Sequence, residues 1–461
     1  MSKKLVLIES EVLKKVTTAM GTIKGFATFT FGVASKNKKD DKIAAIVRVV
    51  CGGTQISYMF YVTAPTDYEK LINEDKVQVP YCEFSVDTTS FIETANTLAN
   101  YGEAVFITYE ESGTDIVVSA AQAAVKLPLI EEDKIPLPLP SNYAEGYAMV
   151  TIDTKGFVSM ARKGASMCSD KDGADIGKIK SFSLIGADKL VVRSTNTYAL
   201  QKAECSVSAQ YAIPNLANAG LEEKIASLKG DEAKALADKK ASVADAKALV
   251  DLAKAEKIAL DSLDFCLNAT AFDIVKAAIG IDNVTKFQMV VTQNYLHVAA
   301  GSCMCTVTLA NKLTKDIYAV IDKFIADNKY LEVTVDASRL LNDLAVLGLC
   351  RDDGIGVNIK YNSDGLEFTR SSSKVHTPVV NSAGEMDLNV YFNISFLREV
   401  VSVLDKGNIT LRFLGNVNPV IVRNGDVGGA FDCLGLVMAL NPEVMKKKEN
   451  KKSEAEKSKT E

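Results

Sequence analysis

One short signature recurs six times along this chain of 461 residues, and it limits the possible folds more than any other feature. It runs apolar–x–apolar, then Asp, Asn or Glu, then three residues, then Leu or Phe opening an amphipathic stretch. It reads Val6-Leu7-Ile8-Glu9 with Leu13, Phe84-Ser85-Val86-Asp87 with Phe91, and Val150-Thr151-Ile152-Asp153 with Phe157. It returns as Phe265-Cys266-Leu267-Asn268 with Phe272, Val333-Thr334-Val335-Asp336 with Leu340, and Val390-Tyr391-Phe392-Asn393 with Leu397. Alternation over three residues is a strand with one buried face. The polar residue after it is an N-cap, because its side chain can accept from an orphan helix N–H. The apolar residue four positions on begins the helix's buried stripe, as in Phe91, Ala95 and Leu98. Gly102, Gly164, Gly280, Gly348 and Gly407 stand about a helix-length beyond their caps and are the expected stops. Alternating strands follow. Ala104–Tyr109 with Asp115–Ala120, and Gly356–Tyr361 with Leu366–Ser371, are expected hairpins.

The interval from Asp153 to Asn268 is much longer than the others, and an insertion accounts for it. Leu216–Leu263 is rich in Ala, Lys, Glu, Asp and Leu and has no aromatic residue and no Pro, which predicts a pair of helices. Lys134-Ile135-Pro136-Leu137-Pro138-Leu139-Pro140 can be neither helix nor central strand, so it is a linker. With a second boundary near Asp327–Tyr330, the six copies pair into three domains: 1–135, 136–330 and 331–444. The tail 445–461 is low-complexity and charged, the composition of a disordered segment.

Charge narrows the partners. Net charge is −5, and the tail holds seven Lys against four Glu, which leaves the folded part near −8. A protein that grips nucleic acid by charge alone is usually basic, so DNA contact here requires a local face. No apolar run approaches the length of a membrane span, and the short apolar stretch after Lys4 meets Glu9 and Glu11 too soon for a signal peptide. The expected compartment is therefore the cytoplasm. The Asn-x-Ser/Thr matches at Asn268, Asn283, Asn393 and Asn408 are chance ones on this reading. Nine cysteines without regular spacing fit reduced thiols.

The expected fold class is α+β. Two strand–helix–strand units per domain can place helices on one side and sheets on the other, and sheets that continue across domains hide their edges. Two such chains would close a ring with helices lining the hole. At this point the chain resembles the bacterial-type sliding clamp, the beta subunit of DNA polymerase III. The resemblance covers about Met1 to Leu440 apart from the insertion. Phe392-Asn393-Ile394-Ser395-Phe396-Leu397 looks like the family's "FNxxYL" helix start, Asn418-Pro419-Val420-Ile421-Val422 like its "sPv.i" strand, and Leu436-Val437-Met438-Ala439-Leu440 like its closing "VVMPM".

The resemblance implies a non-catalytic ring around duplex DNA, without a cofactor or metal, that serves as a processivity factor in replication. Its implied partners are double-stranded DNA, the replicative polymerase and clamp loader through short peptides, and a second copy of itself, with no membrane. Weak, exchangeable phosphate contacts suit sliding. The DNA-facing candidates on the helices are Lys14, Lys15, Arg162, Lys163, Lys276, Arg339 and Arg398, which share those helices with Glu11, Glu93, Asp273, Asp343 and Glu399. Family partners dock a peptide in an apolar groove between the second and third domains, one wall of which carries "ATDGHRL". Here Ser194-Thr195-Asn196-Thr197-Tyr198-Ala199-Leu200 keeps Thr195 and Leu200 and changes the centre, Tyr198 included. Leu436 and Met438 match the opposite wall, and Leu313, Thr314 and Val320 match the crossover more loosely. Ile179 joins the groove set by strand alternation.

An enzyme would need a chemical constellation, and none stands out. His297 and His376 lie in strand-like contexts without a nucleophile beside them. Cys303-Met304-Cys305 puts two thiols on one strand face without the second pair that a metal site needs. Ser169–Asp175 lacks the bidentate Glu of a calcium loop, and Gly354-Ile355-Gly356 lacks the rest of a dinucleotide fingerprint. The rival reading is an interaction protein that keeps a clamp-like fold but has lost DNA tracking.

Overall fold

The computed structural model describes residues 3–33, 42–63, 81–110, 113–131, 134–139, 148–167, 179–196, 198–211, 262–292, 294–311, 330–350, 356–404, 406–425 and 433–441. Each sequence copy folds as one strand, one helix and three more strands. The first copy is β1 (Lys3–Glu9), α1 (Ser10–Gly21), β2 (Phe26–Val33), β3 (Lys42–Cys51) and β4 (Thr54–Thr63). The second is β5 (Cys82–Asp87), α2 (Thr88–Leu98), β6 (Ala104–Glu110), β7 (Asp115–Ala120) and β8 (Ala123–Pro128). The third is β9 (Ala148–Asp153), α3 (Thr154–Gly164), β10 (Ile179–Ile185), β11 (Lys189–Thr195) and β12 (Ala199–Tyr211). The fourth is β13 (Ser262–Asn268), α4 (Ala269–Gly280), β14 (Lys286–Val291), β15 (Tyr295–Ala300) and β16 (Cys303–Thr308). The fifth is β17 (Leu331–Asp336), α5 (Ala337–Gly348), β18 (Gly356–Asn362), β19 (Gly365–Arg370) and β20 (Ser373–Thr377), followed by the short β21 (Asn381–Ala383). The sixth is β22 (Asn389–Asn393), α6 (Ile394–Ser402), β23 (Asn408–Phe413), β24 (Val420–Asn424) and β25 (Cys433–Val437). Both expected hairpins form, β6 with β7 and β18 with β19.

Within each pair the two copies exchange their first strands. β1 pairs with β6 and β5 with β2; β9 pairs with β14 and β13 with β10; β17 pairs with β23 and β22 with β18. One copy alone could not cover its own apolar face, and the exchange gives each pair of copies one shared core. The result is three α+β domains. In the first, Phe29 meets Phe84 and Phe91 with ring centroids 5.3 and 4.8 Å apart. In the second, Phe157 meets Phe287 edge-on at 5.1 Å.

Five of the six cap residues act as the sequence predicts. The Asp87, Asp153, Asn268, Asp336 and Asn393 side chains accept from a backbone N–H in the first turn of their helices. Glu9 makes no cap bond. Its longer side chain does not fold back on the amides and instead meets Lys42 Nζ at 3.1 Å.

The glycines are not the stops they were expected to be. Gly164, Gly280 and Gly348 are the last helical residues, and Gly102 and Gly407 lie in the loops beyond. Side chains from the sheets satisfy the ends of two of these helices. Ser194 Oγ donates to Gly164 O at 2.8 Å, Lys180 Nζ donates to Ala165 O, and Arg370 Nη1 donates to Leu347 O at 2.9 Å. Gly164 is required for a different reason. A Cβ there would stand 2.8 Å from Ala203 N, so the glycine lets α3 sit directly on β12.

The predicted helical insertion lies outside the described residues, except that Ser262 and Leu263 already belong to β13, so it ends before them. The tail 445–461 is also outside them. Pro136–Leu139 is neither helix nor strand, and Leu139 N donates to Gln55 Oε1 at 2.8 Å.

Candidate functional site

Two strand pairs cross from domain to domain, and each builds a distinct junction. Between the second and third domains β12 runs antiparallel to β25, with Leu200 opposite Leu436 and Ala199 opposite Val437. Leu200 and Leu436 are buried. The turn before β12 is held by Asn196, whose Oδ1 accepts from Tyr198 N at 3.1 Å and Ala199 N at 2.8 Å. Thr195 is buried and spends its hydroxyl on Ala199 O at 2.7 Å. That turn presents Tyr198 outward, and Met438 N donates to Tyr198 O at 2.9 Å. The Tyr198 ring stacks on Phe396 of α6, with centroids 5.9 Å apart and planes 12° from parallel. Gly435 allows the close approach of α6, since a Cβ there would overlap Val400. The junction thus carries an exposed apolar step of Tyr198 and Met438 above buried leucines.

Five of the groove candidates, Thr195, Tyr198, Leu200, Leu436 and Met438, therefore meet in one place. Ile179 begins β10, where it pairs with Asn268, two strands away from β12. Leu313, Thr314 and Val320 lie outside the described residues. Phe396 is the junction residue that sequence reasoning missed. In the sequence it belongs to a helix start, and no local pattern points to Tyr198.

Between the first and second domains β4 runs antiparallel to β16, from Thr54 opposite Val307 to Tyr58 opposite Cys303. Here the centre is a carboxylate. Asp282, in the loop after α4, accepts from Tyr58 Oη at 3.0 Å and Ser302 N at 2.7 Å, and Lys15 Nζ stands 3.5 Å away. Burial first, and then the Asp282 charge, push the Tyr58 hydroxyl well above the ordinary tyrosine range. Neither Asp282 nor Tyr58 was a sequence candidate.

The candidate cations all lie on helices, exposed or half-buried. Lys15 is tied to Asp282, Lys276 to Asp273 at 3.0 Å, and Arg339 to Asp343 at 3.0 Å. Asp343 is buried and also accepts from Thr377 Oγ1, so the exposed Arg339 is anchored to a buried carboxylate of the third domain. Among the described residues Lys14 and Arg398 have no ion pair. Lys155, exposed on α3, is a further helix cation that the sequence reading passed over.

No family model matches the chain. The beta sliding clamp of Mycoplasma capricolum subsp. capricolum is 29% identical over 99 residues, which is 20% of this chain and 26% of that protein. The match thus spans about a quarter of the relative's length. The DNA polymerase sliding clamp from Bacillus subtilis superposes with a TM-score of 0.68 at 13% identity, covering 95% of this chain and all of that one (100%). The DNA polymerase III beta chain from Streptococcus pneumoniae gives 0.67 at 12% identity over 95% of this chain and 99% of that one. The chain has the sliding-clamp fold. The sequence-level resemblance to that family agrees with this.

Within that fold the residues weighed for chemistry have structural surroundings. His297 is buried and shares a hydrogen bond with Thr306 Oγ1 at 3.0 Å, and burial lowers its pKa. His376 is exposed, 3.7 Å from Glu367. Cys303 and Cys305 are buried on one face, with Met304 half-exposed on the other, and burial pushes the Cys303 thiol up to about 12. Gly356 opens β18, while Ser169–Asp175, Gly354 and Ile355 lie outside the described residues. Among the described residues no cluster of three His, Cys, Asp or Glu could hold a metal, and no helix is long and apolar enough to cross a membrane.

Proposed function

We propose that this chain is a DNA sliding clamp, a non-catalytic polymerase processivity factor. Two copies close head to tail around duplex DNA, with helices lining the hole and sheets outside. Its three domains on this reading are 1–135, 136–330 and 331–444.

The observation that carries the proposal is an open place in the strand pairing. At both internal junctions the last strand of an odd copy pairs with the last strand of an even copy in the next domain: β4 with β16, and β12 with β25. Among the described residues the last strands without such a partner are β20, which is odd and pairs only with β19, and β8, which is even and pairs only with β7. Joining β20 of one chain to β8 of the next repeats the rule, hides both edges and closes two three-domain chains into a circuit of six. Apolar side chains at the two ends support it. Tyr101, which follows α2, is 62% exposed, and Val125 of β8 is 39% exposed. At the end of α5, Val346 and Leu349 are 54% and 80% exposed.

In this ring the helix cations Lys14, Lys15, Arg162, Lys163, Lys276, Arg339 and Arg398 face the duplex, Lys15, Lys276 and Arg339 while also paired with carboxylates. A few loose phosphate contacts suit a protein held on DNA by topology. The step of Tyr198 and Met438 over Leu200 and Leu436 is the peptide groove through which the polymerase and the clamp loader would dock. Met suits such a surface, being flexible and apolar. Met438→Asp should abolish binding of a polymerase peptide and leave the dimer intact; unchanged peptide binding would put the groove elsewhere.

The test of the whole reading is loading onto primed circular DNA. The protein should stay on the circle through gel filtration and leave once the circle is linearised. The three internally paired cations favour one rival, a clamp-like interaction protein that does not track DNA. A dimer that is never retained on the circle would identify that rival.

A further inference from the structure

The outer face of the first domain differs from its counterparts in the other two. On β4 Ile56, Tyr58, Phe60 and Val62 are buried in the core, so Ser57, Met59, Tyr61 and Thr63 point the opposite way. Of these Met59 is 40% exposed and Tyr61 49%. The strand registers fix their neighbours. Arg48 stands opposite Ser57 and Ser57 opposite Met304, while Thr63 stands opposite Leu7 and Leu7 opposite Phe106. Met304, Phe106 and Leu5 are exposed as well. The matching strands elsewhere carry charge instead: Lys202 and Glu204 on β12, Lys374 and His376 on β20.

From Ser57 to Thr63 the stripe runs about 20 Å along one strand, which is the length of a helix of about 13 residues. Its composition of Tyr, Met, Phe and an Arg is that of interface cores rather than of ordinary surface. Arg48 supplies the remaining clue. Its Nε is buried and has no hydrogen-bond partner, and among the described residues no carboxylate pairs with its guanidinium. A half-desolvated guanidinium is matched by an incoming carboxylate.

We propose that this stripe docks an amphipathic helix of a partner protein, with apolar side chains on Met59, Tyr61 and Met304 and one carboxylate on Arg48. The surface lies on the face of β4 away from the first domain's core and does not include the Tyr198–Met438 groove, so a clamp could hold a second protein there.

The probe is a fluorescein-labelled helical peptide of about 14 residues, with leucines at i, i+3, i+4 and i+7 and one Glu at the end of that face. A twin carries Lys in place of the Glu. Fluorescence anisotropy with the full-length protein should show the Glu peptide binding and the Lys peptide binding at least ~10-fold more weakly. Tyr61→Asp should cost at least ~10-fold for the Glu peptide. Arg48→Glu should reverse the preference in favour of the Lys peptide, an outcome that misfolding cannot mimic. Failure of both peptides to bind, equal binding of the two, or indifference to Tyr61→Asp would overturn the proposal. So would a larger assembly of this chain that Tyr61→Asp dissolves, because the occupant would then be a second copy.

Discussion

The two internal junctions share one strand-pairing rule and differ in almost everything around it. Where β4 meets β16, the domains are joined by a carboxylate that accepts from a tyrosine and a backbone amide and pairs with a lysine, the tyrosine and the lysine lying in the neighbouring domain. Where β12 meets β25, they are joined by opposed leucines, a stacked aromatic pair and a glycine that admits a helix. The backbone ladder therefore sets the architecture, and side chains decide what each junction can do. The ionic centre of the first junction is closed on itself, and the apolar surface there lies on the other face of β4. The apolar junction leaves a step on which a third molecule can dock.

This contrast predicts that the first junction responds to charge and the second to volume. The largest effect should come from Asp282→Ala, which strands the Tyr58 hydroxyl and the Ser302 amide. It should cost about 2–3 kcal/mol in denaturant unfolding; an effect below about 1 kcal/mol would mean that the carboxylate does not organise the junction. Gly435→Ala should cost about 1–3 kcal/mol by pushing α6 away, and it should also weaken peptide binding. If peptide binding is unchanged, the aromatic pair does not shape the step.

Tyr58→Phe should cost about 1 kcal/mol at neutral pH. Its sign with pH is informative. The folded-state pKa of Tyr58 is raised, so the folded protein holds this proton more tightly than the unfolded chain does. Its contribution is complete below the unfolded value of about 10 and is lost as pH rises past it. The wild type should therefore lose more stability than Tyr58→Phe above about pH 10, and parallel curves would contradict the hydrogen bond. Lys15→Ala should do least, a few tenths of a kcal/mol, because its side chain is largely exposed and screened.

Much of this was legible in the sequence where the signal is local. A cap lies next to the helix it starts, so Asp87, Asp153, Asn268, Asp336 and Asn393 announced five helices. Glu9 looked the same in the sequence and failed because one extra methylene changes what a carboxylate reaches. The glycine stops fail at two helices because strand side chains far off in the sequence satisfy the end carbonyls, Ser194 and Lys180 at α3 and Arg370 at α5. The Asp282 and Phe396 contacts were invisible for the same reason: Tyr58 is 224 residues from Asp282, and no spacing rule spans that. Leu200, Leu436 and Met438 became candidates through the family resemblance and not through any local pattern.

The central claim is that the open edges β8 and β20 join two chains into a ring. Light scattering on the eluting full-length protein, with and without Leu349→Asp, tests it directly. The account predicts the mass of two chains for the wild type and of one folded chain for the variant. A wild-type monomer at every concentration, or a dimer indifferent to Leu349→Asp and to a matching Tyr101→Asp, would contradict it.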